Sequence, residues 1–337
     1  MDFLRSKGVP VPRVYGYSAT ADNAVGSEYI IMEMVNGKEV GDIWFHMSEK
    51  ERLKLIYKVA EVEGPLFSIR LPASGSIYYD HDLAAGVKRV EIPGPHRDNK
   101  RFCIGPETTL SLWYGHQALL SVDQGPYSDP RDVLKGGAKK EVEYLKEYSR
   151  HRHSFQRLRR EIYHYSQQSL AEHLKHLHDY LSIADYLNPK DNEVLNQPTI
   201  RHPDLQPQNI IVSESLDIVG VIDWQHCSIL PLFLQSGIPK YFQNYGDEES
   251  ESVRKPQFPQ DFEMLDGQDQ AEALELFCRW QLHFHYLAAT LKSNKVHYEA
   301  LTYEFGMLKQ RLFRHARNPW EGDNMTLKAD LIQAAQN

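Results

Sequence analysis

The sequence predicts an α+β fold: a short β-rich beginning, a body built mainly of helices, and a small β-island set late within that body. Three observations carry this. Residues 9–17 (VPVPRVYGY) and 28–34 (EYIIMEM) are dense in β-branched and aromatic side chains, the composition that suits a pleated, half-buried surface. Long stretches after residue 48 place apolar residues at helical spacing, the period expected when one helix face meets a core. The texture then changes between residues 199 and 225, where short apolar runs alternate with polar turns, before helical spacing returns beyond Pro256.

Taken in order, the two opening runs are separated by Ser18, Asp22, Asn23 and Gly26, turn-forming residues that predict a hairpin or meander. Asn36-Gly37 ends this part. Ser48 followed by Glu51 has the form of a capping box, in which each residue satisfies the other's exposed N–H group. Leu53, Ile56, Tyr57 and Ala60 follow at helical spacing, so a helix is predicted from about Ser48 to Glu63. From Pro65 to Pro130, Pro93-Gly94-Pro95, Gly105-Pro106 and Gly125-Pro126 interrupt any sustained period, which predicts a loop-rich insertion. Residues 138–182 are helical by pattern, with breaks near Arg150 and Ser154. Thr199–His202, Asn209–Val212 and Ile218–Ile222 read as short strands, the last two joined through Ser213-Glu214-Ser215. Ala271–Lys292 and Val296–Arg314 read as helices, and no internal repeat is present.

Composition narrows the function classes. The 337 residues are 41% hydrophobic and 25% charged, ordinary globular usage that leaves no room for a collagen-like or disordered chain. Lys and Arg total 38 against 46 Asp and Glu, a net charge of −8, which argues against nucleic acid or an anionic membrane as the main partner while leaving room for a local basic patch. Cys103, Cys227 and Cys278 lie far apart without pairing rhythm; free thiols and no disulfide-linked partner are expected. No run reaches the roughly 18 apolar residues of a membrane span, and Met1-Asp2-Phe3-Leu4 has neither signal-peptide nor transit-peptide character. The expectation is a cytoplasmic or mitochondrial protein with no targeting signal on this chain. His173, His176 and His178 share a helical stretch but have no third ligand at a familiar spacing, so a solvated helix face is expected there rather than a metal site.

The chemistry-bearing residues lie in the β-island. His202-Pro203-Asp204-Leu205-Gln206-Pro207-Gln208-Asn209 is followed, fourteen residues after Asn209, by Asp223 within Ile222-Asp223-Trp224. Phosphoryl transfer from a nucleotide needs a carboxylate that orients the attacking hydroxyl and accepts its proton, and two oxygen ligands that hold Mg²⁺ on the phosphates. Asp204, Asn209 and Asp223 are oxygen-bearing side chains at spacings that suit those tasks. His202 reads as a structural brace of the loop, and Trp224 as a packing residue.

This arrangement resembles the protein-kinase catalytic loop and metal aspartate, with two departures. Pro203 stands where protein kinases carry an Arg that senses a phosphorylated loop, and Trp224-Gln225 stands in place of Phe-Gly, which points to a small-molecule kinase. With RHPDLQPQNIIV, GVIDWQHCSILPLFLQSGIP, FCIGP at 102–106, VPVPRVYGY and YIIMEMVNG, the sequence resembles the aminoglycoside phosphotransferase and choline-kinase-like family. Within that family it is most similar to fungal kinase-like proteins related to the altered-inheritance-of-mitochondria group. The resemblance runs from about Val9 to Pro239.

It implies a protein-kinase-like fold with a truncated N-lobe, whose first strands and glycine-rich loop are missing, and a large, mainly helical C-lobe. The division expected is residues 1–35 as N-lobe remnant and hinge, and 36–330 as C-lobe with the catalytic hairpin at 199–225 and the insertion at about 65–130. The family implies ATP and Mg²⁺ as cofactors and a small-molecule hydroxyl as acceptor. Backbone groups near Glu33, Met34 and Val35 match the hinge that meets adenine. No G-x-G-x-x-G occurs in the chain, and without it the chain as given is expected to be impaired. A non-catalytic kinase-like binding or scaffold protein is the alternative expectation.

Overall fold

The computed structural model describes residues 1–93 and 102–336; the expected turn at Gly94-Pro95 lies outside them. Among the described residues the strands are β1 (Val14–Ser18), β2 (Tyr29–Met32), β3 (Lys38–Glu39), β4 (Ser76–Tyr79), β5 (Val90–Glu91), β6 (Phe102–Gly105), β7 (Pro198–Ile200), β8 (Ile210–Val212), β9 (Ile218–Val221) and β10 (Ile229–Pro231). The chain divides into two compact units, each assembled from discontinuous segments.

The first unit comprises Met1–Ile69, His202–Gln225 and Gly237–Leu301. Its β1 and β2 pair antiparallel, with Val14 opposite Met32 and Ser18 opposite Tyr29, as the composition of the two opening runs anticipates. A second antiparallel sheet has the order β3-β8-β9. Gly37 precedes it for a steric reason: a Cβ there would lie 2.6 Å from the Val212 carbonyl oxygen and 2.7 Å from Ile211 Cγ2, so only a residue without a side chain allows β3 to meet β8.

The capping box forms as the sequence predicts, with the Ser48 hydroxyl accepting from the Glu51 N–H and the Glu51 carboxylate accepting from the Ser48 N–H. Its helix runs over Glu49–Ser68, past the predicted end at Glu63. Pro65 removes one donor, yet Leu66 and Phe67 are buried, so the apolar face carries the helix through a residue that local propensity would use to stop it. The core of this unit joins Val40, Trp44, Leu55, Ile56 and Val59 to Leu205, Ile210, Val212, Val221, Phe242 and Tyr286. The inward residues of the β8–β9 hairpin are therefore core residues. Outside the core, Lys58 pairs with Asp217 and Lys54 Nζ donates to the Ser215 carbonyl at 2.9 Å, fixing the hairpin turn to the same helix.

The second unit comprises Arg70–Arg201, His226–Ser236 and Thr302–Asn337. The stretch without sustained period holds the antiparallel sheet β4-β6-β5, and β6 is buried at every position. A strand that short is too brief to show alternation when both of its faces are covered. The helical run starts earlier than predicted, at Pro130, where the Asp129 carboxylate accepts from the Arg131 N–H. It continues as Pro130–Tyr148, Arg157–Ile162 and Leu170–Leu187; the predicted breaks near Arg150 and Ser154 fall within one interruption, 149–156, and a second interruption, at 163–169, is one the pattern does not predict. The C-terminal part forms Gly306–Arg317 and Met325–Gln336.

The histidine cluster is not a solvated face. His173 and His176 are buried and only His178 is exposed, because Leu170–Leu187 packs against both Pro130–Tyr148 and the C-terminal helices. His173 stacks on Trp320 with ring centroids 5.5 Å apart, and burial pushes its pKa down to about 4. All three cysteines are free, as expected, and among the described residues no helix is long and apolar enough to cross a membrane.

Candidate active site

The site is built almost entirely from its own loop. His202 is buried; its Nε2–H donates to the Ile222 carbonyl at 2.7 Å, and its Nδ1 accepts the Asp204 N–H at 3.1 Å. Those two partners require the neutral Nε2–H tautomer. Burial accordingly holds the imidazole below its ordinary pKa, against the weaker opposing pull of the Ile222 carbonyl and then the Asp223 and Asp204 carboxylates. The ring meets Trp224 edge-on, with centroids 4.7 Å apart, and Trp224 Nε1 donates to the Val221 carbonyl at 2.9 Å.

Asn209 closes the loop from the other side. It is buried, and its Nδ2 donates to the Asp204 carbonyl at 2.8 Å. That bond fixes the amide's orientation and directs Oδ1 away from the loop backbone. The Ile222 N–H donates to the Asn209 carbonyl at 3.0 Å, so Asp223 stands one residue beyond the rung that ties the end of β9 to Asn209. Asp223 has a left-handed backbone, φ +62. For a non-glycine residue this is an uncommon conformation that Asp tolerates better than most, and one that concentrates at functional positions. Asp204 and Asp223 are both exposed. The Asp204 carboxylate accepts from Gln206 Nε2 at 2.7 Å, a contact the sequence gave no reason to expect, since the residues between Asp204 and Asn209 carry no code of their own.

The donor set suits a hard divalent cation. Asn209 Oδ1 and the Asp223 carboxylate are oxygens, and Mg²⁺ is ordinarily held by one or two protein groups with substrate phosphates and water completing the shell. Among the described residues there is no group of three or more His, Cys, Asp or Glu that could hold a metal by themselves.

At the other sequence-predicted position, the Glu33 N–H is taken by the Arg13 carbonyl at 2.8 Å, and the Glu33 carboxylate accepts from the Arg13 N–H at 3.0 Å. Met34 is 96% exposed. A Cβ on Gly220 would lie 3.0 Å from Val35 Cγ1, so Val35 rests on strand β9 of the hairpin that carries Asp223. These contacts gather His202, Asp204 and Asn209 into one hydrogen-bonded loop, with Asp223 one residue beyond the Ile222 rung, and bring Val35 onto its hairpin, while Met34 projects into solvent.

A catalytic-type loop braced in this way, on a mixed helix and strand fold, defines a kinase-like phosphotransferase class. The chain belongs to the phosphotransferase enzyme family, whose profile matches residues 1–233. A subtelomeric hrmA-associated cluster protein of Aspergillus fumigatus is 29% identical over 365 residues, covering 98% of this chain and 69% of that protein. The protein named altered inheritance of mitochondria protein 9, mitochondrial, is 29% identical over 263 residues in Clavispora lusitaniae. In a strain of Saccharomyces cerevisiae it is 26% identical over 264 residues. In both cases the match covers 70% of this chain and 41% of the relative, so the chain spans less than half the length of those proteins. Among solved structures, an aminoglycoside-3'-phosphotransferase of type VIII matches with 13% identity and a TM-score of 0.34 over 85% of this chain and 77% of that one. A Plasmodium vivax ethanolamine kinase matches with 13% identity and a TM-score of 0.35 over 100% and 70%.

Proposed function

We propose that this protein transfers the γ-phosphate of ATP to a hydroxyl of a small molecule, with Asp204 orienting the acceptor and taking its proton. The observation that carries this reading is the pair of bonds from His202 Nε2 to Ile222 and from Asn209 Nδ2 to Asp204, which present an exposed carboxylate beside an amide oxygen fixed in direction. Phosphoryl transfer asks a protein chiefly for positioning and charge stabilisation, and this loop supplies position without help from distant residues. Asn209 and Asp223 would hold Mg²⁺, which when bound neutralises phosphate charge. The Asp204 backbone, rather than its side chain, anchors the loop, which leaves the exposed carboxylate, held by the Gln206 amide, to turn to the acceptor.

An adenine would meet the hinge through the Glu33 carbonyl and the backbone of Met34 and Val35, since the Glu33 N–H is already engaged. The likeness to proteins whose names carry the word mitochondrial supports a mitochondrial placement, with the cytoplasm as the alternative. The test is phosphate transfer from labelled ATP to a pool of hydroxyl-bearing metabolites, using protein expressed from its complete gene. Asp204→Ala should lower the chemical step by ~10²–10⁴, the usual contribution of a positioned general base. Turnover near the wild-type rate in that variant would remove Asp204 from the role.

A further inference from the structure

The short helix Arg157–Ile162 inverts the usual rule for a surface helix. It buries no residue, yet Leu158 and Ile162, one turn apart on the same face, are 68% and 45% exposed. Phe155 and Tyr165, three residues before and three after that pair, are also exposed. The polar residues turn inward instead. Arg159 pairs with Asp323 at 3.4 Å, the Tyr163 hydroxyl donates to the same carboxylate at 2.7 Å, and Arg152 lies over the Trp320 ring.

The segment is held in this orientation. Arg152 and Gln168 form an isolated β-bridge at its base, the Phe155 N–H donates to the Glu321 carbonyl at 2.9 Å, and the Tyr165 N–H donates to the Arg160 carbonyl at 2.8 Å. His164 and Tyr165 are both left-handed, φ +48 and +56, so this outward presentation is maintained against backbone preference. A surface helix ordinarily puts its apolar stripe against the core; here the stripe faces solvent.

Charge identifies what would cover it. Residues 150–164 contain five Arg and three His against the single acid Glu161, in a chain of net charge −8. Glu161 pairs with Arg157 at 3.3 Å, Asp323 lies on the inner side with Arg159, and the exposed Arg150 has no acidic partner among the described residues. We propose that residues 150–165 form an interfacial anchor that lays Phe155, Leu158, Ile162 and Tyr165 into the surface of a membrane rich in anionic phospholipid, with Arg150 and Arg157, the two arginines of the segment that are exposed, on the headgroups. An apolar face bordered by Arg is the pattern of segments that lie on bilayers, and each basic group near an anionic leaflet adds attraction that salt weakens. A second copy presenting this same face would instead set like charges against each other.

The test is vesicle flotation of the intact protein with neutral phosphatidylcholine, and with phosphatidylcholine containing roughly 30% phosphatidylserine, a composition that raises the negative surface potential. Binding is expected to the anionic vesicles and to weaken in high salt. Leu158→Glu with Ile162→Glu should lower it by at least about tenfold, by replacing inserted apolar groups with repelled carboxylates. Arg150→Glu, at an exposed position, should lower binding to anionic vesicles without altering thermal unfolding, which separates membrane contact from damage to the fold. The proposal is overturned by no preference for anionic vesicles, or by preference unchanged in both variants. Retention on an acidic polypeptide resin without vesicle binding would also overturn it, in favour of an acidic protein partner. None of these residues belongs to the candidate active site, so phosphate transfer in solution should be unaffected.

Discussion

Replacing His202 with Phe tests whether the loop is braced as described. The substitution keeps a ring against Trp224 but removes both nitrogens, so the Ile222 carbonyl loses the Nε2–H donor and the Asp204 N–H loses its acceptor. A half-buried polar group left without a partner costs about 1–3 kcal/mol. Asp204 is exposed, so water can replace its lost partner, and the sum should lie near 2 kcal/mol, about 30-fold in the opening equilibrium of the loop. The reporter is hydrogen exchange at the Ile222 N–H, which donates to the Asn209 carbonyl and stays protected only while the loop is closed. The same bond predicts a pH dependence. Nδ1 can accept the Asp204 N–H only while unprotonated, and burial lowers the folded-state pKa. The bracing is therefore fully present above the unfolded value of about 6.5, and it is lost as pH falls from there through the lowered folded value. The Phe variant should lack this acid sensitivity. Unchanged Ile222 protection in the variant, together with an unchanged acid response, would refute the bracing argument.

Asp223→Ala should weaken nucleotide binding in the presence of Mg²⁺ far more than in its absence, because Mg²⁺ gives up its waters only when phosphates complete the shell; equal calorimetric losses in both conditions would exclude a metal role. His173, whose pKa burial pushes down to about 4 with a further contribution from His176, should destabilise the second unit as pH falls from about 6.5 toward that value, by up to about 3 kcal/mol. His173→Phe should flatten the pH slope of the urea midpoint, and an unchanged slope would show that another group titrates there. Gly37→Ala should cost about 1–3 kcal/mol by forcing a methyl into the β3–β8 contact, and a wild-type melting temperature would mean that the strands separate freely.

Sequence made legible what depends on near neighbours. The Ser48–Glu51 box rests on residues three positions apart, and the β1–β2 pairing and the β8–β9 hairpin join runs that follow one another in the chain, at most 18 positions apart in the paired residues (Val14 and Met32); each forms where the spacing placed it. What depended on distant contacts did not show. Pro65 looks like a stop until Leu66 and Phe67 find a core, and β6 is too short and too buried to display alternation. His173 and His176 resemble polar surface residues because nothing nearby in sequence announces Trp320. At the candidate site, the oxygen-bearing side chains and the bracing histidine were legible from their order. The inward turn of Asn209 Nδ2, the left-handed Asp223 and the Gln206 contact were not, because no spacing rule specifies an amide's orientation or a backbone angle.

The closure of the His202 loop also bears on the order in which the protein assembles. Its bonds join residues between 2 and 20 positions apart, whereas the ion pair between Lys58 and Asp217 spans 159. Closing a segment of that size forfeits little chain entropy, and the cost rises only slowly with length, so the loop and its hairpin can form while the long-range contacts are still open. Helix Glu49–Ser68 would then dock onto a hairpin whose polar ends are already tied, with Leu205, Ile210, Val212 and Val221, which share its core, offering it an apolar face. A substitution that weakens the helix should therefore speed unfolding more than it slows folding, since its contacts with the hairpin come after the loop has closed.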